Sequence, residues 1–153
     1  MAAENGRTEA LRVLIGAGGD PNKALEDGFT PLIMAAQKGH VAAVELLISS
    51  GVDLDSTNGW GGTPAYLAAW DGHVTVLAVL RDKGANLNKC DINGWSPAYR
   101  AAYEGQVGVL ELLRDAGADL TAADKQGKTP LDVALEKGHE AAAALLREAT
   151  NKP

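Results

Sequence analysis

Cysteine, phenylalanine and methionine are scarce in this 153-residue chain, which holds one, one and two of them respectively. Cys90 has no cysteine to pair with, so an intrachain disulfide is excluded and nothing points to an oxidising compartment. No apolar run approaches the roughly 20 residues that a membrane-spanning helix needs, and no signal-peptide pattern precedes residue 20. An Asn-x-Ser/Thr glycosylation acceptor is missing as well. Positive charge is in deficit: 14 Lys and Arg against 20 Asp and Glu give a formal net charge of -6. That balance disfavours sequence-independent nucleic-acid binding, which neutralises phosphates with basic side chains. It equally disfavours an anionic membrane surface. The expectation is a soluble, cytoplasmic protein with no nucleic-acid and no membrane partner.

Proline is rare too, but its placement is regular. Pro31, Pro64, Pro97 and Pro130 recur every 33 residues, each preceded by a threonine or serine. Thr30-Pro31 reads as a helix start, with a hydroxyl acceptor at the N-cap and a ring of fixed φ in the first helical position. Gly39 then closes a short helix in the left-handed conformation, and residues 41 to 49 read as a second helix. The same sequence of signals follows at Gly61-Gly62-Thr63-Pro64, at Gly94-Trp95-Ser96-Pro97 and at Gly127-Lys128-Thr129-Pro130. A fixed period of this length means a stacked repeat array. In its spacing and its Thr-Pro helix starts the chain resembles the ankyrin repeat family over almost its whole length. The resemblance implies an all-α solenoid of helix-turn-helix units with hairpin-like fingers, forming one domain over 1–153.

On this register residues 1–24 match only the later part of a unit, with Ala2-Ala3 aligned to Ala35-Ala36 and Gly6-Arg7 to Gly39-His40. Either the chain comes from a longer array or it opens on a degenerate cap. Full units follow at 25–57, 58–90 and 91–123, and 124–153 forms a C-terminal capping unit with a solvated, alanine-rich last helix. Thr150 to Pro153 is expected to fray. In the second helices Val41, Val44 and Leu47, then Val74, Leu77 and Leu80, then Val107, Leu110 and Leu113 recur at helical spacing and predict the inward stripe.

Chemistry is hard to find. His40, His73 and His139 share one slot after a helix-closing glycine, a full repeat apart, so they cannot serve one metal ion; a bond to backbone between repeats is expected. Cys90 lacks a partner at ligand spacing, which leaves zinc unsupported. Gly127-Lys128-Thr129 looks like the end of a phosphate-binding loop, but Ala122 stands where its first glycine belongs and Pro130 follows at once. Gly16-Ala17-Gly18-Gly19 fails the dinucleotide fingerprint at Pro21. No catalytic residue, cofactor or metal is assigned.

Two departures from the family pattern stand out. The family's Thr-Pro-Leu-His is here Leu32-Ile33, Ala65-Tyr66, Ala98-Tyr99 and Leu131-Asp132 after the proline, so the family's histidine network is absent. Arg100 fills a slot held elsewhere by Met34, Leu67 and Val133, and a buried guanidinium needs a partner; Asp132 in the next unit and Glu104 at i+4 are the candidates, with a solvent-directed stem as the alternative.

The aromatics carry the functional expectation. Phe29, Trp60, Tyr66, Trp70, Trp95, Tyr99 and Tyr103 all fall in fingers or first helices of the middle units. The resemblance implies that these segments line a concave, partner-binding face. Tyr66 and Tyr99 are expected in part-buried core, and Trp60 and Trp95 are expected to project from finger tips. The expected partner-binding residues are Phe29, Trp60, Trp70, Asp71, Ile92, Asn93, Trp95, Tyr103 and Glu104. Exposed tryptophans favour such a role, since they commonly dominate binding at protein surfaces. Asp27, Asp71, Asp91 and Glu104 around them suggest a partner protein or peptide with a basic rim. The alternative is a structural segment of a longer scaffold, or an array that is monomeric or self-associates weakly through its incomplete N-terminal edge.

Overall fold

The computed structural model describes residues 8–151. The Ala2-Ala3 and Gly6-Arg7 alignment, and the tail at Lys152 and Pro153, lie outside the described residues. Among those described, the chain forms nine α-helices and no strand: α1 (Thr8–Gly16), α2 (Pro31–Gln37), α3 (Val41–Ser49), α4 (Pro64–Trp70), α5 (Val74–Asp82), α6 (Pro97–Glu104), α7 (Val107–Asp115), α8 (Pro130–Glu136) and α9 (Glu140–Thr150). Every Thr/Ser-Pro signal starts a helix. The hydroxyls of Thr30, Thr63, Ser96 and Thr129 each accept the amide N–H three residues on, at 3.0–3.2 Å, which satisfies one of the free donors of the first turn.

The first helices α2, α4, α6 and α8 stack in one row and the second helices α3, α5, α7 and α9 in another, with α1 against α3. The core runs between the rows as a continuous stripe. Paired alanines (Ala35-Ala36, Ala68-Ala69, Ala101-Ala102) are fully buried, which lets the two rows approach closely. The stripe on the second helices is shifted from the expected one. Val44, Leu47, Leu77, Leu80, Leu110 and Leu113 are buried as expected, but Val74 is exposed and Val41 and Val107 only half-buried. Ala43, Val76 and Val109 are buried instead. Each displaced valine is the first residue of its helix, at the edge of the stack, and the inward arc begins two residues later.

Histidines tie consecutive units together. The Nε2 of His73 donates to the Gln37 carbonyl at 2.9 Å, and that of His139 to the Tyr103 carbonyl at 3.0 Å. Both reach the end of the preceding first helix, as expected for a bond to backbone between repeats. The ring needs the glycine that closes that helix: a Cβ on Gly39 would lie 2.6 Å from His73 Nδ1.

The fingers are single tight turns ahead of α2, α4, α6 and α8. Asn58, Asp91 and Asp124 organise three of them. In each, one side-chain oxygen accepts the backbone N–H groups two and four residues on. One main-chain bond then joins each finger to the next: Gly59 N–H to the Asp27 carbonyl, Ile92 N–H to Trp60, and Lys125 N–H to Asn93. Gly61 shows why the turn holds glycine. Its φ is 87°, and a Cβ there would approach the Ile92 nitrogen to 3.1 Å.

Candidate partner-binding face

Tyr66 and Tyr99 sit in the first turns of α4 and α6 and are almost wholly buried. Each hydroxyl donates to the finger carboxylate of the following unit, Tyr66 to Asp91 Oδ2 at 3.2 Å and Tyr99 to Asp124 Oδ2 at 2.9 Å. Burial, with the neighbouring carboxylate behind it, pushes both phenols far above their ordinary value. Burial also opposes ionisation of Asp124, but the Lys128 N–H, the Tyr99 hydroxyl and the Gln126 N–H outweigh it and hold that carboxyl below the usual range. The expectation of core was right for the rings, which are buried more fully than the part-buried position expected. It missed their polar ends, although tyrosine and aspartate recur 25 residues apart in both units. The preceding unit completes the pattern by contrast: Ile33 takes the tyrosine slot, its finger partner is the uncharged Asn58, and Asn58 Nδ2 has no hydrogen-bond partner.

The tryptophans do not project from finger tips. Trp60 folds back over its own unit, with ring centroids 5.6 Å from Tyr66, 5.8 Å from Trp70 and 6.3 Å from Phe29, all edge to face. A Cβ on Gly62 would lie 2.7 Å from Trp60 Cζ3, so this glycine leaves the room that the folded-back indole occupies. Trp95 likewise lies flat on its first helix, stacked at 5.1 Å on Tyr99 and 5.6 Å on Tyr103. Covering neighbouring rings removes more apolar surface from water than pointing outward would. All four of Trp60, Trp70, Trp95 and Tyr103 remain half-exposed. With Phe29, from the unit before, they form two ring clusters, one of Phe29, Trp60 and Trp70 and one of Trp95 and Tyr103.

Arg100 joins the clusters. Its guanidinium lies 3.4 Å from the Trp70 ring centroid, 5.3 Å from Trp95 and 5.1 Å from Tyr103. It is only 7% exposed, so it does not run out to solvent along its stem. Its ion pair is with Glu104, at 3.3 Å from Nη2. The pairing with Asp132 does not form, because Asp132 accepts from the Thr129 N–H and hydroxyl at 2.9 and 2.7 Å in a capping box at the start of α8. On the far side Lys137 Nζ stands 4.1 Å over Tyr103, so cations and aromatic rings alternate across three units.

The acidic surround is thinner than the sequence suggests. Asp91 is buried and taken up by its finger and Tyr66, and Glu104 is committed to Arg100. Asp27 and Asp71 are exposed. Ile92 is 57% exposed at a finger tip, and Asn93 beside it lines a groove of about 290 Å³. That groove separates Trp60 and Trp70 from Trp95, with Arg100 in its wall. A second groove of about 370 Å³ follows between Trp95, Tyr103 and Lys137. Among the described residues no group of three or more His, Cys, Asp or Glu gathers to hold a metal, and no helix is long and apolar enough to cross a membrane.

Paired helix rows, hydroxyl-proline helix starts, and fingers bonded edge to edge define the class as a helical repeat solenoid. The chain belongs to the ankyrin repeat family: a model described as ankyrin repeats (3 copies) matches residues 1–91 and 83–153. Members of that family generally serve as protein–protein interaction modules and are typically non-catalytic. No curated protein matches the chain.

Proposed function

We propose that this protein binds a partner protein, as an extended segment, along the face made by its fingers and first helices. The observation that carries the reading is the half-exposed aromatic surface of Phe29, Trp60, Trp70, Trp95 and Tyr103. Phe29, Trp60 and Trp70 pack outside the main core, Trp95 and Tyr103 lie on its edge, and the surface they make spans three consecutive units and is creased by two grooves. Ile92 and Asp71 flank it and are exposed. Because Trp60 and Trp95 also support their fingers, truncating them would mix folding with binding. Ile92→Asp and Asp71→Lys are cleaner tests, since surface changes of this kind move stability by only about 0.5 kcal/mol. Capture of the partner by immobilised protein should fall with either variant and persist with Glu45→Lys, on the exposed side of α3. Equal capture by all three would sink the proposal.

A second reading has its own observation. Val13 and Leu14 on α1 are 62% and 57% exposed at the N-terminal edge, apolar surface that favours docking of that edge on another copy. Light scattering over a concentration series separates the two: a dimer that Leu14→Glu dissolves supports self-docking, and a monomer at every concentration removes it.

A further inference from the structure

We propose that Asn93 is a site of spontaneous deamidation in the folded protein, which puts a carboxylate on the third finger. The conversion is a property of that finger alone, so it stands or falls apart from the partner-binding reading.

The reaction needs only this chain and water. The Gly94 main-chain nitrogen attacks Asn93 Cγ and the Cγ–Nδ2 bond breaks. Nδ2 leaves as ammonia, taking the Gly94 amide proton with it, and a five-membered imide remains. Water then opens the imide. Addition at Cγ gives aspartate; addition at the main-chain carbonyl carbon gives isoaspartate, whose chain runs on through Cβ and Cγ. One amide and one water are consumed, one acid and one ammonia are formed, and nothing is oxidised or reduced. A glycine after the asparagine leaves the attacking nitrogen uncrowded, whereas Asn22, Asn86, Asn88 and Asn151 each precede a lysine or leucine.

The Asn-Gly pair occurs at Asn58 and at Asn93, and also at Asn5, which lies outside the described residues. The fold separates the first two. Asn58 is 4% exposed, and its Oδ1 accepts the Trp60 and Gly62 N–H groups at 3.3 and 2.8 Å, which fixes the carboxamide. Its would-be nucleophile is also held, since the Gly59 N–H donates to the Asp27 carbonyl at 2.7 Å. Asn93 is exposed beside a finger tip. Its carboxamide is held only by Nδ2 on Asp91 Oδ2, at 3.4 Å, beyond the roughly 2.7–3.2 Å of an ordinary bond. The Gly94 N–H donates to the Asp91 carbonyl at 3.0 Å, so attack proceeds when that one bond opens. Opening an exposed turn costs less than releasing a buried side chain that organises its finger.

Both products set a carboxylate near Asp91 in the groove that Asn93 lines. On the partner-binding reading, that charge makes this part of the face less receptive to acidic segments. Isoaspartate does more, because the turn from Asp91 to Trp95 gains a backbone atom. That atom disturbs the Gly94 bond to the Asp91 carbonyl and the Trp95 N–H bond to Asp91 Oδ1 at 2.9 Å.

The test holds the whole protein in warm, mildly alkaline buffer, which favours loss of the Gly94 amide proton, and follows each asparagine by peptide mapping with mass spectrometry. The same chain in denaturant is the reference, where both Asn-Gly pairs are free and should convert at similar rates. In the folded protein Asn93 should convert roughly ten-fold faster than Asn58, the effect of an opening about 1.4 kcal/mol easier. Hydrogen exchange at the Trp95 amide should quicken in the isoaspartyl fraction, beyond its rate in Asn93→Asp, which adds the charge without the extra atom. Equal rates at the two sites in the folded protein, or a faster Asn58, overturn the proposal. So does an Asn93 that stays an amide while the denatured reference converts.

Discussion

At the scale of single residues, the informative unit is the pair formed by Tyr66 and Asp91, repeated in Tyr99 and Asp124. Tyr66→Phe should cost about 1 kcal/mol in denaturant unfolding, since Asp91 keeps its finger N–H donors but loses the hydroxyl. Asn58→Asp tests the same logic from the other side. It places a buried carboxylate opposite Ile33, which has no hydroxyl to offer, and should destabilise by about 2 kcal/mol. Adding Ile33→Tyr should recover part of that loss, so a double-mutant cycle should show favourable coupling. The tyrosines also set an alkaline limit. Both folded-state values are raised, so the stability they contribute is whole below the ordinary phenol value near pH 10 and is lost as pH rises toward the folded values. Phenolate absorbance of Tyr66 and Tyr99 should therefore appear together with unfolding, and Tyr66→Phe should flatten the alkaline loss.

At the scale of elements, helix starts were legible in the sequence because each is a local signal: a hydroxyl, a proline, and a glycine at the far end. The face that each second helix buries was legible only to within a residue or two, because the first position of a short helix lies at the edge of its stack, as Val74 shows. The posture of Trp60 was not legible. It depends on the missing Cβ of Gly62, a contact that spacing does not reveal. Asp132 was legible and misread: Thr129 and Asp132 stand three apart, the spacing of a capping box, and local capping takes the carboxylate before any neighbour can. The aromatic face follows the same division. Its residues could be chosen from their places in the repeat, whereas the way Arg100 knits them together needed coordinates. Trp60→Ala should accordingly cost about 2 kcal/mol, below the full price of a buried tryptophan because the ring is half-exposed. Among the second helices, α1 should open first, since Leu11 is its one buried residue and Val13 and Leu14 face water. Hydrogen exchange checks this; amides of Leu11 and Leu14 as slow as those of Leu77 and Leu80 would contradict it.

At the scale of the whole molecule, stability is spread along a row of neighbours rather than lodged in a centre. Its acid limit is distributed in the same way. Backbone and hydroxyl bonds from Thr121 hold Asp119 below the usual carboxylate range, and Thr129 does the same for Asp132. With Asp124 also lowered, each contributes stability that is present above the ordinary aspartate value near pH 4 and is lost as pH falls through the folded values. Melting temperature should thus hold down to about pH 4 and fall below it. The double variant Asp119→Asn, Asp132→Asn should show a shallower fall. The fingers give the array a different property. Helices in the two rows meet along their sides, but consecutive fingers share a single main-chain bond at each step, through Gly59, Ile92 and Lys125. In mechanical terms the helix rows are the spine and the finger row is a lighter chain, its later links fastened again by Tyr66 on Asp91 and Tyr99 on Asp124. A load along the array is borne by the spine, while the fingers are joined by few bonds, so the face proposed to meet a partner is also the more compliant edge.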